Sequence, residues 1–352
     1  MRFQSGNRPP ASSLSRRQFL RLGALASAGL ALRPLPPASE AGFTGLGRVT
    51  VSWIGLYSEP SFRSTRLAKY TRDELLPILK RERADEGPSH NPIWYRLGDG
   101  YAHSGYLQLV KWELQEPEDT IPDGGALFEV CVPYTRSYRD PDPSSDPLYR
   151  LYYQSTAWVE ARVTGADGRA WYRLRDDVLL IAYHVRAEHL RRIPVEELTP
   201  LSPDVPPGRK RLEISLARQE LRAYEGDRLV LRTLISSGVP NSEPMDNGIP
   251  TITPTGSFHI SIKTPLRHMG GGHITPSLEA YELPGVPWVS FFHETGVGFH
   301  GTYWHNDFGT PKSHGCINMR TEEARWLYRW TLPAVEPDRI VHKGNGTAVV
   351  VR

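Results

Sequence analysis

The stretch FHGTYWHNDFGTPKSHGCINMR, residues 299–320, decides how the rest of the chain is read. It places His300, His305, His314 and Cys316 close together in sequence. A cysteine attacks acyl groups as its thiolate. A free thiol ionises only at about pH 8.5, so the nucleophile needs a base or a positive setting. Histidine is the natural base, because its ordinary pKa is about 6.5. Gly315 allows a tight turn and a close approach of backbone to ligand. N–H groups at such a turn can face a developing oxyanion. A rival chemistry uses the same side chains, since His300, His305, His314 and Cys316 are all zinc-ligand types. No cysteine pair accompanies them, which weighs against zinc.

Working outward, Thr321–Trp330 reads as a helix capped by Thr321, with Glu322 and Glu323 at its positive end. Ala324, Leu327 and Trp330 share one face. Upstream, Leu212–Leu216, Leu221–Tyr224 and Leu229–Leu231 alternate as a meander of strands. These elements make 209–352 one domain. Residues 200–208 are Pro-rich and read as a stiff linker. Residues 113–199 carry strand patterns at Ala126–Tyr134, Leu148–Tyr153, Thr156–Val163 and Ala170–Leu174, with Asp167-Gly168 as a turn. They are expected to form a second small β domain, with a short helix or a binding loop over Val185–Ile193. Residues 42–112 also read as short strands, including Trp94–Leu97, with Asp99-Gly100 as a hairpin turn before Tyr101. The fold class expected is mainly β.

Two resemblances follow from these residues. Trp94–Leu97 followed by Gly100–Leu107 is similar to the end of a bacterial SH3-like barrel, which implies such a barrel over 42–112 and makes 113–199 a candidate for another. His300, twelve residues, and then Ser313-His314-Gly315-Cys316-Ile317-Asn318 resembles the signature of the L,D-transpeptidase catalytic domain of the YkuD type. Thr253-Pro254-Thr255-Gly256-Ser257-Phe258, Arg267–Gly272 and Pro287–Phe292 resemble further elements of that family, in the same order. The resemblance covers 209–352 and implies a β-sandwich with short helices. It implies Cys316 as nucleophile, His300 as its base, and the Gly301 carbonyl as the group that orients the imidazole. It also implies oxyanion-hole N–H groups at His314, Gly315 and Cys316. Ser313 and Asn318 would hold the loop and polar substrate groups, Tyr303 and Trp304 would border the channel, and Met269 would contact substrate. Arg320 is a candidate for a substrate carboxylate. His268, His273, His293 and His305 are read as non-catalytic. The implied reaction is acyl transfer from a peptidoglycan tetrapeptide stem through a thioester to an amine, with no cofactor. Two alternatives are a cysteine hydrolase or carboxypeptidase that uses water, and a non-catalytic wall-binding protein. The segment 42–200 shows no nucleophile–base motif and is expected to position the enzyme on the wall.

Composition bounds the remaining possibilities. The 352 residues carry a formal net charge of +3. Residues 1–41 contribute six Arg and one Glu, so the remainder carries +3 − 5 = −2. That leaves no strong positive field for nucleic acid. Ser15–Arg21 resembles a twin-arginine export signal. The apolar run Leu22–Leu32 is too short to span a bilayer, which takes about 20 residues. Ser39-Glu40-Ala41 offers a cleavage point, so the chain is expected to be exported, touching the membrane only through this signal. Cys131 lies in a strand-like run and is expected to be buried packing.

Overall fold

In the first β unit, short β-branched and aromatic runs broken by turn residues form eight strands (β1 Gly45–Val49, β2 Trp53–Tyr57, β3 Arg66–Thr71, β4 Leu75–Ile78, β5 Lys80–Arg83, β6 Ile93–Leu97, β7 Gly100–His103, β8 Leu107–Val110). They make two small sheets, ordered β4-β1-β8 and β3-β2-β7-β6-β5. Val49, Ile54, Leu56, Tyr95 and Leu107 fill the core they share. The β6–β7 register pairs Leu97 with Gly100. The turn is therefore Gly98-Asp99, one residue earlier than the sequence suggested, and Gly100 opens the next strand. The computed structural model describes residues 44–240, 251–336 and 339–352. The segment read as an export signal, with its expected cleavage point, lies outside the described residues.

The second β unit is a seven-stranded sheet (β9 Ala126–Val130, β10 Tyr134–Tyr138, β11 Pro147–Tyr152, β12 Thr156–Thr164, β13 Ala170–Arg175, β14 Ala182–Arg186, β15 Leu190–Arg192). Its order is β11-β10-β14-β13-β12-β9-β15. The run Ala126–Tyr134 divides into β9 and the start of β10 at Pro133, which has no N–H to give a ladder. Within Val185–Ile193 the expected short helix is a single 3₁₀ turn, and strands flank it. The segment continues β14, makes one 3₁₀ turn at Ala187–His189 and returns as β15. Its apolar positions Val185, Ala187, Leu190 and Ile193 are buried, so sheet packing decides its conformation.

The third unit has two five-stranded sheets. One is β18-β17-β16-β25-β19 (β16 Lys210–Ser215, β17 Glu220–Glu225, β18 Arg228–Leu234, β19 Gly256–His259, β25 Ala348–Val351). The other is β23-β22-β21-β20-β24 (β20 Ile262–Gly270, β21 Glu282–Phe291, β22 Gly298–Gly301, β23 Ile317–Met319, β24 His342–Lys343). β16 pairs with β25 in parallel, and β22 with β23 likewise. Leu212, Ile214 and Val349 of the first sheet meet Leu266, Trp288 and Phe299 of the second in one core. The helix α1, Thr321–Trp330, buries Ala324, Leu327 and Trp330 on the same core. Thr321 is its first helical residue and not its cap; Arg320 takes the cap position without a side-chain cap bond.

The Pro-rich segment between the second and third units is docked. The Leu201 N–H donates to the Arg329 carbonyl at 3.1 Å, and the Arg329 Nε donates to the Thr199 carbonyl at 2.9 Å. Leu127, Ile193 and Leu198 belong to the third unit's core cluster. Residues 42–352 accordingly form one contact unit. No helix among the described residues is long and apolar enough to cross a membrane.

Candidate active site

The parallel β22–β23 ladder brings the two reactive side chains together. His300 pairs with Asn318, and Phe299 with Ile317. Asn318 therefore shares a face with His300, and Cys316 sits in the bend that leads directly into β23. His300 and Cys316 both line a cavity of about 710 Å³. His300 is buried, and its Nδ1 lies 3.0 Å from the Gly301 carbonyl. A carbonyl only accepts, so Nδ1 carries the proton and the Nε2 lone pair of the neutral ring is left free. Burial lowers the imidazole to about 4, against the opposing Gly301 hydrogen bond. Burial pushes the Cys316 thiol up to about 11, against a backbone hydrogen bond from Gly298. At neutral pH the pair rests as thiol and neutral imidazole. Its arrangement suits a base that removes the proton as the sulfur attacks. The Trp304 ring packs on His300, with centroids 5.6 Å apart. A side chain at Gly301 would meet Pro287 Cγ at 2.9 Å and the Thr321 Cα at 3.1 Å, so only glycine lets α1 start this close to the base.

Residues 209–351 match the YkuD family, described as the L,D-transpeptidase catalytic domain. Among solved structures, an Enterococcus faecium L,D-transpeptidase is 26% identical, with 41% of this chain and 49% of that one covered and a TM-score of 0.30. The catalytic domain of an E. faecium L,D-transpeptidase is 28% identical over 41% of this chain and 98% of that one, with a TM-score of 0.29. An L,D-transpeptidase from Mycobacterium smegmatis is 16% identical over 52% of this chain and 90% of that one, with a TM-score of 0.32. The chain thus spans about half the length of the first of these. The comparison with curated proteins gives no match.

Within the L,D-transpeptidase domain, a polar frame fixes the loop that carries Cys316. The Ser313 hydroxyl donates to the Cys316 carbonyl and accepts from the Gly315 N–H at 3.2 Å. Gly315 adopts φ 116°, a conformation that side chains disfavour. The Gly238 N–H donates to the Thr253 hydroxyl at 2.9 Å, and that hydroxyl donates to the Gly315 carbonyl at 2.7 Å. Backbone bonds of Ser237 with Ser313 and of Ser236 with Asn318 continue the frame. The Asn318 amide nitrogen lies 2.9 Å from His305 Nε2. Its side-chain oxygen is buried without a partner among the described residues.

Not every residue singled out in the sequence reaches the cavity. Arg320 does not: the chain turns into α1 at this point, and the guanidinium lies over the Phe308 ring at 4.8 Å, beside Glu323 at 3.5 Å. Tyr303 is buried, and its hydroxyl donates to the Pro284 carbonyl at 3.1 Å. It borders a neighbouring cavity instead, while Trp304 borders both. The Gly315 N–H, assigned to the oxyanion hole, is engaged by Ser313. Met269 lies on the wall of the Cys316 cavity, and His314 is exposed there with its ring 4.8 Å from that of Tyr281. The possible zinc ligands separate, with His305 turned to Asn318 and His314 to Tyr281.

Sequence reasoning missed what the other β units give the site. Val178, from the second unit, lines the Cys316 cavity. Its neighbour Asp176 binds His268 Nδ1 at 2.6 Å, and Glu282 binds His268 Nε2 at 2.9 Å. Burial alone would lower the His268 pKa; the two carboxylates outweigh it and raise the pKa. The pair fastens both ends of the 271–281 loop, which carries Tyr281. From the first unit, Arg72 reaches the same loop by donating to the Leu278 carbonyl. Arg48, fully buried, donates to the Tyr303 carbonyl at 2.7 Å and to Asp73 at 2.7 Å. The only advance signal was that His268 lies in the Met-Gly stretch; Arg72, Asp176 and Val178 had none.

Proposed function

We propose that this protein is an exported peptidoglycan L,D-transpeptidase that cross-links stem peptides through a thioester on Cys316. The observation that carries this reading is the pairing of His300 and Cys316 on one cavity, with His300 Nδ1 held by the Gly301 carbonyl and Nε2 left free. As the sulfur bonds to the carbonyl carbon of the diamino acid's L-centre, its proton passes to His300 Nε2. The C–N bond to the terminal D-amino acid breaks, and that amine leaves with the proton. An acceptor amine then attacks the thioester carbon. The C–S bond breaks, and His300 carries the amine's proton back to sulfur. Free N–H groups of the Cys316 turn would stabilise the oxyanion. The signal-like Ser15–Arg21 supports export. The two preceding β units, read as SH3-like, would hold the domain on the wall.

The test is mass spectrometry of products from purified disaccharide-tetrapeptides. Release of the terminal D-amino acid together with cross-linked dimer is expected, and both should vanish in Cys316→Ala. Tripeptide without dimer under all acceptor concentrations would favour a carboxypeptidase.

A further inference from the structure

The outward face of the sheet β18-β17-β16-β25-β19 holds charge that its own residues do not match. Leu212, Ile214, Leu221 and Ala223 point into the sandwich core, so the residues that alternate with them on β16 and β17 face outward. There Arg211 pairs with Glu213 at 3.1 Å, its guanidinium over the Tyr224 ring at 4.3 Å. Beside this matched pair, three guanidiniums converge on one carboxylate. Arg222 reaches Glu220 at 2.7 Å, Arg232 at 2.5 Å and Arg218 at 3.8 Å. Arg222 and Arg232 are direct partners in the β17–β18 register. Like charges directly opposite destabilise a sheet, and Glu220 cancels only one of the three. The cluster therefore keeps an excess of two positive charges, although residues 42–352 together carry −2. All three are arginine, whose planar fork of donors suits phosphate oxygens. Tyr224 pairs with Leu229 on the same face, and Leu229 is 46% exposed. An aromatic and an apolar side chain among cations match the boundary between lipid headgroups and acyl chains.

We propose that this sheet face docks on an anionic phospholipid surface, with Arg218, Arg222 and Arg232 against the headgroup phosphates and Leu229 at the edge of the acyl chains. An open strand surface meets a plane of headgroups along its whole width. None of these residues lines the Cys316 cavity, and the sheet that carries His300 lies across the core. Docking therefore leaves the cavity uncovered. The proposal does not depend on the acyl-transfer reading, because the contact uses neither Cys316 nor His300.

The test is co-sedimentation of the full chain with phosphatidylcholine vesicles, with and without about one-third phosphatidylglycerol. The quantity read is the gain in affinity from neutral to anionic vesicles. Any contact made by residues 1–41 is common to every variant and drops out of the comparison. Arg218→Gln, in an exposed turn, should cut the gain about fivefold, the worth of one arginine near an anionic surface. Arg218→Gln with Arg232→Gln should cut it about twenty-five-fold. Arg218→Lys with Arg232→Lys keeps both charges and should restore the gain to within about twofold, which separates charge from folding. Raising salt to about 0.5 M should remove most of the gain. No gain in the unaltered protein, or a gain unchanged in the double glutamine variant, overturns the proposal. Tighter binding to soluble inorganic polyphosphate than to anionic vesicles, at equal phosphate, also overturns it and assigns the face to a polyanionic polymer.

Discussion

The regions around the two cysteines share one physical feature and differ in every other. Burial raises both thiols, Cys131 to about 12 and Cys316 to about 11. Cys131 follows β9, its N–H bonded to the His189 carbonyl at 3.0 Å, with protein packed on every side. Cys316 borders a cavity that is also lined by the neutral imidazole of His300. A lowered thiol pKa therefore does not distinguish the proposed nucleophile from the buried cysteine. A base with a free lone pair and room for a substrate do.

The most severe way to break this contrast is to remove each sulfur. Cys316→Ala should abolish covalent adduct formation with a carbapenem, read by intact-protein mass spectrometry, and Cys131→Ala should leave the rate within about twofold. Removing the base comes next. His300→Ala should slow acylation at neutral pH by about 10²–10⁴, the usual worth of a general base. The loss should shrink as pH rises towards 11, where thiolate forms unaided. His314→Ala, which alters an exposed ring on Tyr281, should cost far less. Equal effects of the two would remove His300 from its role.

The pH profile of the unaltered protein sharpens the comparison further. A base with a lowered pKa is competent above that value. Acylation should stay flat down to about pH 5 and fall about tenfold for each unit below about 4, as His300 takes up a proton. A profile breaking at about 6.5 would mean an exposed imidazole. The smallest effect concerns the frame. Thr253→Val strands the Gly238 N–H and the Gly315 carbonyl, each at a cost of about 1–3 kcal/mol when buried. Thermal melts should show this loss, with acylation slowed severalfold; an unchanged melting temperature would show that another group takes up both partners.

What the sequence made legible was local. His300, Gly301, Ser313 and Cys316 lie within one short stretch, and a parallel ladder helps turn that proximity into a shared cavity wall. The helix was readable because its apolar period and acidic first turn coincide. The direction of Arg320 was not legible, because a strand's alternation stops where a helix begins, and its side chain lies on Phe308. Asp176, Val178 and Arg72 were unreadable for a different reason. Each reaches the site only through packing between units, and such contacts leave no periodicity or spacing in the chain. The stretch 200–208 looked like a spacer because proline sets stiffness, whereas its docking depends on partners in α1.

The parallel ladders also set the order of events as the chain folds. Arg211 of β16 pairs with Ala348 of β25, across the whole domain, and β25 lies inside its sheet between β16 and β19. Such distant pairings form slowly, because the entropy of closing the chain is lost before the contacts are gained. Until β22 and β23 also align, Cys316 is an ordinary thiol with no ordered imidazole beside it. On the proposed reading, the chain would gain a competent nucleophile only after these long-range pairings have formed.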